Sequence, residues 1–224
     1  MPYIVCVEER DGSWVAHVPD LPGCYAAHHQ RERAVQAIPL AVDRYIEWCQ
    51  AAGMHISGLT GPMMVAEVIR AWEFEDGQMV HAFFASDRPS VLEDEIPEYR
   101  SLLIASNTDL LRTMNDLDAV DIHRPMGSSA LSISEGLLRL GDYEQWHLDK
   151  FGFAADPEEL PEEPSRRLEA IRQHHINVLP DLAARRGVVT IAGETWSVRK
   201  VLRVTLWQER ELTAQFRQLG RRTA

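Results

Sequence analysis

The polar run from Ser86 to Pro97 (Ser-Asp-Arg-Pro-Ser-Val-Leu-Glu-Asp-Glu-Ile-Pro) constrains this chain most, because the hydrophobic period differs on its two sides. Upstream, apolar residues fall in short strand-like runs closed by turn residues; downstream, they recur at three-four spacing over long stretches. Strands and helices present their apolar faces with different periods, so each half must build its own layer. The prediction is an α+β chain. A small β-β-β-α-β-β domain occupies residues 1–86, a linker 87–97, and an all-α four-helix bundle 98–224. At 224 residues the chain is long enough for two cores.

In the first part, Tyr3 to Glu9 reads as a buried strand, Asp11-Gly12 as a hairpin turn, and Trp14 to Val18 as the returning strand. Pro19-Asp20-Leu21-Pro22-Gly23 stops it, and Cys24 to Ala27 reads as a short third strand. From Glu32 to Ala52 the period turns helical. Val35, Ile38, Val42, Tyr45, Ile46 and Cys49 form one stripe, and Gly53 supplies a C-terminal cap. Pro39 predicts a kink or the end of an irregular first turn. Met64 to Glu73 and Met79 to Phe84 complete the strands, joined by Asp76-Gly77.

Four helical patterns follow. The first spans Pro97 to Asp118, with Leu103, Ser106, Leu110, Thr113, Leu117 and Val120 in register, and Arg124 to Ser129 closes it. The second spans Ala130 to Phe151. The third, Ser165 to Arg185, carries Leu168, Ile171, His175, Val178 and Leu182 on one face, with Pro180 as a kink site. The fourth, Thr195 to Leu219, places Val198, Leu202, Thr205, Glu209, Leu212, Phe216 and Leu219 in line.

Composition narrows the function classes. The net charge is −11, with 6 basic and 12 acidic residues through Arg88 and 17 and 22 beyond it, so neither half offers nucleic acid a general electrostatic grip. An acidic surface instead suits solubility or a basic protein partner. No run approaches the roughly 18 apolar residues of a membrane span, and the N-terminus lacks a secretory signal pattern. Cys6, Cys24 and Cys49 are odd in number and form no Cys-x-x-Cys pair, which fits a reduced cytoplasm rather than a zinc ribbon or redox site. Asp11 and Asp20 both sit in turns, so two-metal nuclease chemistry is not expected. Adjacent His28 and His29 point different ways on any regular element and read as an exposed loop pair. Neither a phosphate-binding glycine loop nor a His-Glu-x-x-His motif occurs.

The strand hairpin, Val18-Pro19-Asp20-Leu21-Pro22-Gly23-Cys24, and the alanine-rich helix ending Ala41-Val42-Asp43-Arg44-Tyr45-Ile46 resemble the HicB family. That resemblance implies a reduced ribonuclease-H-like fold and an antitoxin that binds a small RNA-cleaving toxin; the helical half stands where many such antitoxins carry a DNA-binding tail. The segments Leu137 to Leu148 and Val198 to Phe216 resemble the second and fourth helices of the DinB family. Its members hold a divalent metal with three histidines, two of them at i and i+4 so that one ion bridges one helix face. The matching positions here are Arg139, Gln208 and Leu212, none of which can replace a neutral imidazole. The resemblance therefore implies a degenerate metal site, no cofactor, and a homodimer as the assembly.

Two expectations follow for the bundle centre. Arg139 is expected to supply the lost positive charge and pair with Glu209 or Glu144; snorkelling of both side chains to solvent is the alternative. His175 falls on an inward face, where it serves either as a hydrogen-bonded core histidine or, with His147, Glu144 and Glu209, as a relocated metal site. The leading functional expectation is a non-catalytic binding or regulatory protein with a protein partner or small ligand, no membrane and no direct nucleic-acid contact. The alternatives are a metal-dependent thiol transferase or hydrolase using the relocated site, and a HicB-type antitoxin.

Overall fold

The computed structural model describes residues 2–10, 12–56, 61–70, 80–117, 132–191 and 193–223. The chain divides into two compact units, one made of Met1–Ser90 with Gly187–Trp207, the other of Val91–Arg186 with Gln208–Ala224. The division expected from sequence, 1–86 against 98–224, thus differs by one segment: Gly187–Trp207 belongs with the N-terminal unit.

In the first unit, β1 (Tyr3–Arg10) and β2 (Ser13–His17) form an antiparallel hairpin in which Cys6 faces His17 and Arg10 faces Ser13. The backbone at Gly12 has φ +68°, a conformation that glycine adopts freely, which is what lets the turn be this tight. Asp11 lies outside the described residues. β3 (Tyr25–His28) pairs with β2, and β4 (Met63–Arg70) runs parallel to β1, giving the order β3-β2-β1-β4. The parallel return is supplied by α1 (Arg31–Gln36) and α2 (Ile38–Ala51). The single predicted helix is split at Ala37, with Pro39 in the first turn of α2, where its missing N–H has no intrahelical partner to lose. Ile38, Val42, Tyr45 and Cys49 form the buried face of α2. The loop from Pro19 to Gly23 is closed by its own backbone bonds, and the Tyr45 hydroxyl donates to the Pro22 carbonyl at 2.8 Å.

Residues 80–84, the described part of the strand predicted from Met79 to Phe84, form no regular element and do not join the sheet. Ala82 and Phe84 pack with Cys6, so this segment covers one face of the sheet rather than extending its edge. The predicted Asp76-Gly77 turn lies outside the described residues, as does the end of the preceding strand beyond Arg70. A small hairpin, β5 (Val189–Ile191) with β6 (Glu194–Trp196), was not foreseen; it occupies the start of what reads in sequence as the fourth helix.

The second unit contains α3 (Ile96–Asn115), α4 (Ile133–Asp149), α5 (Pro164–Ala184) and, from Gln208 onward, α6 (Val198–Thr223). Ser132 caps α4 reciprocally: its hydroxyl accepts from the Glu135 N–H while the Glu135 carboxylate accepts from the Ser132 N–H. α5 packs on both α3 and α4. At Gly141 a side chain would meet the Ile171 Cδ1 at 3.1 Å, so glycine permits the close approach of α4 and α5. Leu110, Leu117, Ile133, Leu137, Leu140, Leu168 and Phe216 form the apolar core, flanked by Met114, Leu212 and Leu219. Pro180 lies within α5, which continues through it. The loop expected from Arg124 to Ser129, and Val120 before it, lie outside the described residues.

Candidate functional site

Each unit holds a cluster of buried charged side chains. In the helical unit, Glu144 on α4, Arg172 and His175 on α5 and Glu209 on α6 are all at most 1% exposed. Arg172 and His175 are three residues apart on one helix and so share its inward face. The His175 Nδ1 lies 2.6 Å from the Glu144 Oε1, and the Arg172 Nη2 lies 3.1 Å from both the Glu144 and the Glu209 Oε2 atoms. The two arginine contacts are close in distance but not aligned as hydrogen bonds, so they are Coulombic pairs in a dry setting. The Asn107 amide on α3 reaches the Glu209 Oε1 at 3.5 Å.

One guanidinium cannot neutralise two buried carboxylates, and the pair divides accordingly. Burial raises both. For Glu144 the Arg172 charge and the His175 hydrogen bond overcome it and hold the carboxyl below its usual range. For Glu209 burial prevails over Arg172, helped by repulsion from Glu144, and its carboxyl is pushed up. The cluster thus holds one carboxyl shifted down and one shifted up from the usual carboxylate range.

The expected role of Arg139 is corrected. Its side chain is exposed and donates to the Tyr143 hydroxyl at 2.8 and 3.0 Å, with the guanidinium over the Tyr143 ring. The cation between Glu144 and Glu209 is Arg172, which the sequence reading missed. A signal existed: Arg172 lies four residues after Leu168 and three before His175, in the inward register. His147 is fully buried with its ring 5.5 Å from that of Trp146. Gln208 is 9% exposed and Leu212 packs against the apolar core.

The three positions matched to a metal-binding set therefore offer a guanidinium engaged with a tyrosine, an amide and an aliphatic chain. These donors do not fit a divalent ion. Among the described residues, no three His, Cys, Asp or Glu side chains are grouped so as to hold a metal. The relocated site imagined from Glu144, His147, His175 and Glu209 instead has Arg172 between its carboxylates. No step through a metal is derived for this chain.

In the N-terminal unit, Glu8 and His17 share one face of the β1–β2 hairpin as diagonal neighbours, with the His17 Nε2 3.1 Å from the Glu8 Oε1. Burial opposes the Glu8 charge, but the hydrogen bond from His17 and the nearby cationic groups hold its carboxyl far below the usual range. Burial pushes His17 down, so the ring is neutral and its Nε2–H donates to the carboxylate. The Glu8 Oε2 accepts the Ala82 N–H at 2.9 Å.

The same pattern continues along 80–84. The His81 N–H donates to Glu194 and the Phe84 N–H to Asp87. The His81 carbonyl accepts from Lys200 at 2.7 Å, and the Ala82 carbonyl from Arg203 at 2.8 Å. Side chains thus take the place of a strand ladder, which is why a strand-like sequence stays outside the sheet. Lys200 also bonds Glu194 and the Thr195 carbonyl, and Arg203 clamps Asp87 through two bonds of 2.9 Å. Burial brings the Lys200 pKa down to about 8 against the pull of Glu194. Every carboxylate of this network is matched to a cation or a hydrogen-bond donor. Burial, then Glu67, pushes the Cys6 thiol up to about 12, so it is no nucleophile. Cys6, Cys24 and Cys49 are all buried. Asp20, His28 and His29 are exposed, and the His28 Nδ1 accepts from the Gln30 N–H.

The sequence model of the family described as HicB-like antitoxin of bacterial toxin-antitoxin system matches residues 3–94. That match makes the N-terminal part HicB-like and does not extend over the helical unit or the segment that carries Lys200 and Arg203. No curated protein and no solved structure matches the chain. Among the described residues, no helix is long and apolar enough to cross a membrane.

Proposed function

We propose that this chain is a non-catalytic regulatory protein that binds a protein partner through its HicB-like unit, in the manner of an antitoxin holding a small toxin. The observation that carries this reading is the family match over residues 3–94. The charge balance supports it: the stretch through Arg88 carries 12 acidic and 6 basic residues, and Gly187–Trp207 adds one acidic and three basic, so the unit stays net acidic, which suits a basic partner such as a small ribonuclease and disfavours nucleic acid. Three buried cysteines, odd in number, suit a reducing cytoplasm. The helical unit is read as a DinB-like bundle that has lost its metal, since Arg139, Gln208 and Leu212 stand at the ligand positions; it then serves as an accessory module.

The test is genetic and biochemical. The gene neighbours of this chain are searched for a small basic protein, which is expressed alone and together with it; the absence of such a neighbour counts against the proposal. The expected result is growth arrest by the neighbour alone, relief on co-expression, and a complex that co-elutes in size exclusion. A neighbour that is harmless alone, or whose toxicity this chain leaves unrelieved, refutes the proposal.

A further inference from the structure

β4 is an outer strand of the N-terminal sheet: among the described residues it pairs with β1 and with no other strand. Its sequence, Met63-Met64-Val65-Ala66-Glu67-Val68-Ile69-Arg70, contains neither the proline nor the lysine that commonly guards an edge. Met64 is 48% exposed, Val65 40% and Val68 45%, with Ile4 of β1 beside Met64 at 37%. An apolar edge of this kind invites another strand.

The register identifies which strand fits. Val5 pairs with Val65 but Cys6 pairs with Glu67, so Ala66 is the extra residue of a bulge. Paired residues share a face. Met63, Val65, Val68 and Arg70 therefore lie on the face of Tyr3, Val5, Val7 and Glu9, whereas Met64, Glu67 and Ile69 lie on that of Ile4, Cys6 and Glu8. In an unbroken strand Val65 and Val68 would point to opposite faces; the bulge puts them on one. A second β4, antiparallel about a two-fold axis between Ala66 and Glu67, sets Val65 against Val68 twice and Met64 against Ile69 twice, face for face. Met63 opposes Arg70, and no like charges meet.

The strand's two charges are already engaged within the chain. The Glu67 carboxylate accepts from the Ala85 N–H at 2.8 Å, and the Arg70 guanidinium lies 2.7 Å from Glu9. The strand therefore brings no charged side chain to the edge that lacks an intrachain contact. A basic protein would find no acidic row here, and nucleic acid no basic one. We infer that β4 is a self-pairing strand: two copies of this chain join antiparallel along it, Val65 of each against Val68 of the other, as one isologous two-fold interface.

Sedimentation equilibrium of the full chain tests this with two variants at exposed positions. Wild type is expected at twice the mass of one chain. Val65→Lys with Val68→Lys sets lysine against lysine and is expected to run as a monomer with unchanged circular dichroism. Val65→Lys with Val68→Glu sets lysine against glutamate twice and is expected to restore the dimer. A monomeric wild type overturns the inference whether or not the variants fold. So does a folded lysine pair that stays dimeric, or a folded lysine–glutamate variant that stays monomeric.

Discussion

Replacing Arg172 with methionine keeps most of the side chain's length and removes its charge. In the structure that charge sits 3.1 Å from Glu144 and from Glu209, all three at most 1% exposed. Removing one member of such a group leaves a buried carboxylate uncompensated, a loss of about 3–5 kcal/mol. The figure stays near the lower end here, because Glu144 keeps the His175 hydrogen bond. Arg139→Ala is the matched control: its guanidinium is exposed on Tyr143, and the substitution should change stability by no more than about 0.5 kcal/mol. Urea unfolding followed by circular dichroism at neutral pH reads both. If Arg139→Ala proves the costlier of the two, the cation of the bundle has been placed on the wrong helix and the reasoning fails.

Glu209→Gln removes a group whose folded pKa lies above its unfolded value of 4.5. Such a group stabilises fully below 4.5 and loses that contribution as pH rises through the folded value. The variant should therefore gain on wild type as pH is raised from 4.5 to 7; a gap that moves the other way in pH-dependent melts rejects the assignment. Glu144 has the opposite sign, its contribution being present above 4.5 and lost as pH falls through its depressed value, so Glu144→Gln should cost most at neutral pH and least in acid. Arg203→Met strands Asp87 and the Ala82 carbonyl and should cost about 3–5 kcal/mol; adding Asp87→Asn should recover part of it in a double-mutant cycle, and strict additivity would contradict the pairing. Cys6, Cys24 and Cys49 should resist a thiol reagent in native protein and all react in denaturant, with rapid native labelling as the refuting result.

The hairpin and the buried face of α2 were legible because local signals and tertiary burial agree there: a glycine turn between β runs, and Ile38, Val42, Tyr45 and Cys49 at helical spacing. Residues 80–84 show the opposite case. Their apolar alternation reads as a strand, and only side chains from distant positions decide that the backbone bonds go elsewhere. The β5–β6 hairpin was in principle visible in Val189-Thr190-Ile191 and Gly193, but a helix start placed at Thr195 hid it. At the bundle centre, the inward register points to His175 and Glu209, and Glu144 enters only as a candidate partner for a cation. Arg172 was not singled out, because an arginine within a helical pattern ordinarily reads as solvent-facing and only the matched carboxylates reveal it.

The fastening of Asp87 by Arg203 spans 116 positions of chain. On a ribosome adding about 5–20 residues each second, the first partner therefore waits on the order of ten seconds for the second. Throughout that interval the nascent sheet carries Glu8 and Asp87 without the cation that steadies them, and the stretch around Ala82 lacks its donors. The N-terminal unit thus reaches its mature form late in synthesis, after the intervening helices have emerged, although most of its residues are made first.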